Sequence, residues 1–302
     1  MKTIILCAIL LSMTSALAQQ PTRPKITGID HVAFYTTSPE ANQQKYGTVL
    51  GLTSAPPVEP GQTQRFMLGS QWVGYSPAPD PKVTNRLDHV AFRTEDCEGL
   101  RKYLAANGVK VPDAASNLKD GSRTFMVKDP EGNAIEFVQP KSQMSVEVTS
   151  AGPVSRRMIH AGFIVRDRAA EDRFYKDILG FRPYWYGGMH PERTDWVAQQ
   201  VPDGTDWLEY MLNQSANPDA HLRGVMNHIS LGVKDMNAAQ MKIESHGWKP
   251  TAEEHSQIGR DGKLQLNVFD PDLSRIELME FTPVDKPCCS EFTGTHPSES
   301  DR

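Results

Sequence analysis

The chain has 302 residues, of which 38% are hydrophobic and 23% charged, and a net charge of −5. That length holds two domains of ordinary size, each with a core of its own. The acidic balance lacks the basic stripe by which a nucleic-acid binder meets phosphates, so a small molecule is the expected partner.

Met1-Lys2, an apolar run from Ile4 to Met13 and then Ser15-Ala16-Leu17-Ala18 read as a secretory signal over residues 1–18, with an Ala-x-Ala cleavage site before Gln19. About ten apolar residues fall short of the roughly 20 of a spanning helix, so no membrane span is expected after cleavage. The mature chain is expected to be exported, to a periplasm or beyond it. Cys7 lies inside the apolar run rather than after small residues at its end, which does not suit lipidation. Cys97, Cys288 and Cys289 remain, an odd number that is no disulfide framework. Cys97 is expected to pack on a helix. The adjacent pair has three readings, a bridge between chains, loose metal binding or no role, of which the last is preferred.

From Ile26 the pattern predicts a strand (Ile29 to Tyr35), a helix opened by Ser38-Pro39-Glu40 and closed by Leu50-Gly51, and short strands around Arg65 to Leu68 and Gln71 to Ser76. Leu87 to Arg93 then repeats the first strand, Leu-Asp-His-Val-Ala-Phe-Arg against Ile-Asp-His-Val-Ala-Phe-Tyr. A helix at Glu95 to Asn107 follows, and a hairpin of Arg123 to Val127 with Ala134 to Val138 turns at Asp129-Pro130-Glu131-Gly132-Asn133. The unit is one strand, one helix and three strands, twice over.

Residues 141–156 suit a linker. The pattern then restarts with a strand at Met158 to Val165, a helix at Arg168 to Leu179, strands at Thr194 to Val201, Asp206 to Leu212 and Met226 to Val233, a helix at Asn237 to His246, and strands at Leu264 to Phe269 and Arg275 to Phe281. Tyr186 to Glu192 reads as a mobile rim, and residues 284–302 as a disordered tail.

His160, Glu209, His228 and Glu277 each stand within a run of strand length and composition. A polar side chain on a sheet face needs a partner, and two imidazoles with two carboxylates make a divalent-metal ligand set. For any one of them the ordinary reading is a solvated or hydrogen-bonded residue. Four such groups, if buried together, need a cation or a network to offset desolvation.

The His-containing first strands, the helix ends Val-Leu-Gly-Leu and Ile-Leu-Gly-Phe, and the late Asp-Pro hairpins leading to Ile-Glu resemble the vicinal oxygen chelate superfamily, which includes glyoxalase I, extradiol dioxygenases and the bleomycin resistance proteins. The likeness runs from Ile26 to Pro283. It implies an α+β fold of tandem modules, residues 26–140 and 157–283, each of two βαβββ units whose strands form a curved, metal-holding mixed sheet. It also implies that His160, Glu209, His228 and Glu277 converge on one ion, Zn²⁺, Ni²⁺, Fe²⁺ or Mn²⁺. Carried to the first module, the resemblance picks out His31, His89 and Glu136. The position of Glu209 falls on Gly74, in Trp72-Val73-Gly74-Tyr75 against Trp207-Leu208-Glu209-Tyr210. One ligand is missing there, leaving either a two-His-one-carboxylate triad or a decayed copy.

The implied chemistry is proton transfer beside a polarised oxygen of a small oxygenated metabolite, with Glu277 the leading base and Glu209 the second. The rival is an Fe(II) ring-cleaving dioxygenase. Extradiol enzymes carry a tyrosine three residues before the Asp-Pro, where this chain has Met126 and Asn267. The basic residue that glyoxalase I uses for glutathione corresponds to Tyr35 and Ile164, so the resemblance does not extend to that substrate. A third reading is a ligand-sequestering protein whose pocket is lined by Tyr184, Trp185, Trp196, Trp207, Met211 and Met226, residues that at such spacings are more often core. Monomer and homodimer are both compatible with the pattern.

Overall fold

The computed structural model describes residues 21–141, 152–251 and 254–301. The expected signal and most of the expected linker lie outside the described residues. The first module runs β1 (Ile26–Thr36), α1 (Pro39–Asn42) continued by a π-helical turn (Gln43–Val49), β2 (Thr53–Ser54), β3 (Gln64–Leu68) and β4 (Gln71–Pro77). Its second half repeats this order as β5 (Leu87–Thr94), α2 (Cys97–Ala106), β6 (Ser116–Asn117), β7 (Arg123–Lys128) and β8 (Ala134–Gln139).

The second module gives β9 (Met158–Ile164), α3 (Arg168–Asp172) with a π-helical turn (Arg173–Ile178), β10 (Arg182–Gly187), β11 (Trp196–Gln200) and β12 (Trp207–Met211). Then come α4 (Ala220–Met226), β13 (His228–Val233), α5 (Met236–Ser245), β14 (Ser256–Ile258), β15 (Leu264–Phe269) and β16 (Arg275–Glu280). Each module is one curled mixed sheet, ordered β2-β3-β4-β1-β5-β8-β7-β6 and β10-β11-β12-β9-β13-β16-β15-β14. The antiparallel pairs β1/β5 and β9/β13 form the two centres, flanked by parallel partners.

The central strands are buried almost end to end, as runs such as Ile-Ser-Leu-Gly-Val require when both faces are covered. One apolar core passes through both modules, drawing Val32, Phe92 and Leu104 from the first and Phe163, Tyr175 and Leu231 from the second. The Phe92 and Phe181 rings meet edge to face across the boundary at 5.2 Å.

The late Asp-Pro hairpins are exchanged between modules. Asp270 accepts from the Tyr75 hydroxyl at 2.8 Å, and Asp272 from the hydroxyls of Thr36 and Thr37, both at 2.6 Å. Reciprocally, Glu131 accepts from the backbone N–H groups of Arg166 and Asp167, both at 2.7 Å. Between the modules, Gln71 at the start of β4 pairs with both backbone groups of Met158 on β9. Asp206 accepts from the Ile29 N–H at 2.8 Å and is ion-paired with Arg157.

Four sequence expectations need correction. The loop before β13 contains α4, which takes in Met226; its cap is Asp219, which accepts from the Leu222 N–H. Gly224 lets α4 approach closely, since a Cβ there would stand 2.1 Å from the Leu273 carbonyl oxygen. Tyr186 and Gly187 end β10, and the rim beyond is tied by Asp195, which accepts from the Met189 N–H. The tail forms no helix or strand over residues 285–301, yet it is packed on the second module. The Thr293 N–H donates to the Tyr184 carbonyl, Gln200 to the Thr295 carbonyl, and the Tyr184 hydroxyl meets His296 Nδ1 at 2.6 Å. Cys288 and Cys289 are joined to each other by a disulfide, whereas Cys97 is buried on α2 as expected.

Among the described residues no helix is long and apolar enough to cross a membrane. Asp206→Ala removes the carboxylate paired with the buried Arg157 guanidinium and leaves the Ile29 amide without its acceptor. It is expected to cost about 3–5 kcal/mol, read as a lower urea midpoint, whereas Glu95→Ala at the exposed pair with Lys25 leaves the midpoint nearly unchanged.

Candidate metal centres

In the second module the register brings His160, Glu209 and His228 into one group, with Glu277 set against His160. On β9, Gly162 is paired with His228 of β13 on one side and Glu209 of β12 on the other. A Cβ on Gly162 would stand 2.2 Å from the His228 ring, so glycine is what lets that imidazole lie across the strand. His160 Nε2 is then 3.0 Å from His228 Nε2, 3.2 Å from Glu277 and 3.8 Å from Glu209. Glu209 is 3.4 Å from His228 Nε2.

The first module repeats the arrangement with one substitution. His31 Nε2 stands 3.1 Å from His89 Nε2, and Glu136 lies 3.0 Å and 3.3 Å from the two imidazoles. Gly74 occupies the register position of Glu209, paired with Ala33, and a Cβ on it would meet the Trp72 ring and the Gln62 amide, each at 2.5 Å. Trp72 lies flat on His31 at 3.6 Å.

The fourth group comes from elsewhere. Glu59, in the loop between β2 and β3, reaches His31 Nε2 at 3.1 Å and His89 Nε2 at 3.2 Å. Gln62 holds that loop by accepting from the N–H groups of Val58 and Glu59. The expected three-residue site is therefore a four-residue one. Glu59 follows Pro57-Val58 and precedes Pro60-Gly61, a stretch with no strand periodicity to flag it.

Both sets fit a divalent cation. Donors about 2.0–2.2 Å from one ion stand roughly 3 Å apart at right angles and roughly 3.5 Å apart at tetrahedral angles, close to the spacing within the groups His31, Glu59, His89, Glu136 and His160, Glu209, His228, the second of which Glu277 adjoins through His160. Glu136 Oε2 and Glu277 Oε2 are buried without a hydrogen bond, as oxygens aimed at an ion would be. In the first centre burial opposes the His31 imidazolium, but the Glu59 charge and bonds to Asp30 and Glu136 override it and push the pKa up to about 10. In the second, burial and the Arg275 charge hold His228 below its usual value, in the neutral form a metal takes. Glu277 is depressed to about 2, because Arg275 and His160 outweigh burial.

Other groups line the second cup. Trp207 packs on His160, and the fully buried Lys263 ammonium stands 4.6 Å over the Trp207 ring. Burial brings Lys263 down to about 8 against the charges of Asp261, Glu277 and Glu209. Tyr184, Trp185 and Trp207 form a buried cluster with Trp196 and the tail residue Phe292 packed against it. Met211 is buried, while Met226 ends α4, so most of the expected pocket lining is core.

Elemental analysis is expected to find one divalent ion for each module. Glu209→Ala should remove the second-module ion alone and Glu59→Ala the first-module ion alone. Full metal content in Glu59→Ala would show that the loop carboxylate is no ligand.

The model of the Glyoxalase/Bleomycin resistance protein/Dioxygenase superfamily matches residues 28–137 and 157–278. No curated protein matches the sequence. Among solved structures, a variant of homoprotocatechuate 2,3-dioxygenase from Brevibacterium fuscum superposes with a TM-score of 0.65 at 18% identity, covering 91% of this chain and 74% of that one. The Mn(II)-bound glyoxalase from Novosphingobium aromaticivorans gives 0.66 at 17% identity, over 85% and 83%. The complex of the dioxygenase with 3,4-dihydroxyphenylacetate gives 0.63 at 19%, over 93% and 86%. These likenesses are of fold, and with the family match over both repeats they place the chain in the glyoxalase/bleomycin resistance/dioxygenase superfamily, as a two-module member.

Proposed function

We propose that the chain is an exported metal-dependent enzyme of glyoxalase type, a lyase, isomerase or epimerase that moves a proton on a small oxygenated metabolite. The observation that supports this most directly is the grouping of His31, Glu59, His89 and Glu136 in the first module and of His160, Glu209 and His228, with Glu277 against His160, in the second, one carboxylate of each pair lying nearer solvent. The Glu209 side chain is 15% exposed against 4% for Glu277, and that of Glu59 10% against 4% for Glu136.

A divalent ion bound there supplies Lewis acidity toward a carbonyl or enol oxygen and so acidifies the adjacent carbon. Glu277 is held between His160 and Arg275, a setting that suits a permanent ligand. Glu209 is the carboxylate with freedom to accept the proton at Oε2 and return it, in the role the resemblance assigned first to Glu277. Trp207 fixes the His160 ring, and the buried cluster around Tyr184 keeps water from that side of the cup.

The alternative is ring cleavage by an Fe(II) dioxygenase, which the similarity to homoprotocatechuate 2,3-dioxygenase raises. In the first centre a fourth protein donor takes a position that oxygen and a catechol would share. Met126 and Asn267, opposite Glu136 and Glu277, offer no phenol. A sequestering protein has no need of two such donor sets.

The metal-loaded chain is expected to wash solvent deuterium into the carbon beside the oxygen in at least one of a panel of 2-oxo and 2-hydroxy carbonyl compounds. Glu209→Gln should slow that exchange by about 100-fold or more with the ion retained. Oxygen uptake on catechols that survives Glu209→Gln would instead establish the dioxygenase. The export reading rests on Met1–Ala18, and N-terminal sequencing of secreted protein should begin at Gln19; a chain retaining Met1 would refute it.

A further inference from the structure

A cavity of about 500 Å³ opens beside the first centre, a size suited to a small organic ligand. Trp72 and Asp30 are shared between the two: both line the cavity, while Trp72 stacks on His31 and Asp30 accepts from His31 Nδ1 at 2.9 Å. Met67, Trp72 and Pro140 supply an apolar wall.

The charges around the cavity are unevenly committed. Asp30 is bound by Arg93 and His31, Glu95 by Lys25, and Asp120 by the Ser122 N–H. Arg93 is fully engaged with Asp30 and Ser70. Arg65 is not. It is only 4% exposed, its Nε is buried without a partner, and its guanidinium makes no hydrogen bond or ion pair among the described residues. It stands 5.7 Å over the Trp72 ring and lines the cavity. Asp30, Glu59 and Asp120 act on its charge without contact, and burial still pulls its pKa below the ordinary value.

A buried guanidinium with no counter-ion is costly to hold, and its planar fork matches a carboxylate. We infer that this cavity binds an organic carboxylate with a compact apolar body, the anion on Arg65 and the body against Trp72 and Met67. That this ligand is a substrate rests on the metal-enzyme reading above; the binding does not.

The test is a titration of the full-length chain, as isolated, with 4-fluorobenzoate, followed by fluorine NMR, beside the neutral isostere 4-fluorobenzamide. Saturable binding of one benzoate per chain is expected, with the amide at least tenfold weaker. Arg65→Gln should weaken benzoate by about thirtyfold, and Arg65→Lys should recover part of that loss. Equal binding of acid and amide, no benzoate binding, or unchanged affinity in Arg65→Gln would overturn the proposal. Displacement by inorganic phosphate as readily as by unlabelled benzoate would show that charge alone is read, and would overturn the assignment of an apolar-bodied carboxylate. Because the titration needs no turnover, a chain that proves inactive or metal-free still decides it.

Discussion

Each cup places two imidazoles with their Nε2 atoms about 3 Å apart, walled by carboxylates and shut away from water. Such a set is unfavourable unless a cation sits among it or protons are shared across it. Much else in the fold serves that juxtaposition. It demands an antiparallel central pair in each sheet, a small residue opposite the second histidine, and parallel outer strands to carry carboxylates to the same face. Gly162 and Ala33 are the small residues, and β12, β16 and β8 the strands.

The modules are not separable beads. Each Asp-Pro hairpin caps the other module, and one core runs beneath both sheets, so the central strands of each half are held from two sides. Asp206 and Gln71 satisfy backbone groups at the seam that would otherwise be buried unpaired. Rigid central strands matter to the centres, because donors on loops alone hold their spacing less well.

The two centres have diverged around a common plan. In the second, the strand carboxylate is kept and the packed tail covers the aromatic wall of the cup, through Phe292 and His296 on Tyr184. In the first, Trp72 fills the space above Gly74, a loop carboxylate enters instead, and an open cavity with an uncommitted arginine adjoins the site. An aromatic ring on the ligand histidine and a loop-borne donor make the first centre chemically distinct from the second.

Local pattern determined a great deal: the duplication in Ile-Asp-His-Val-Ala-Phe and Leu-Asp-His-Val-Ala-Phe, the longer strands and helices of each unit, and the histidines and glutamates at strand positions were readable from period and punctuation, whereas β10 and α4 were not. That His160, Glu209, His228 and Glu277 share one cup, and that His31, His89 and Glu136 match them in the first module, was implied by the family resemblance and not by pattern alone. What tertiary structure decided are the contacts between residues far apart in the chain and without periodicity. Glu59 reaches its centre because Gln62 folds a proline-flanked loop inward. Arg65 is carried into the cavity wall by β3 without an ion pair among the described residues. The tail, polar and poor in large apolar groups, is ordered because the Tyr184 backbone and the rim of β11 offer it hydrogen bonds. A one-dimensional pattern records which face a side chain takes on its own element, whereas the partner it meets there is set by packing of the whole chain.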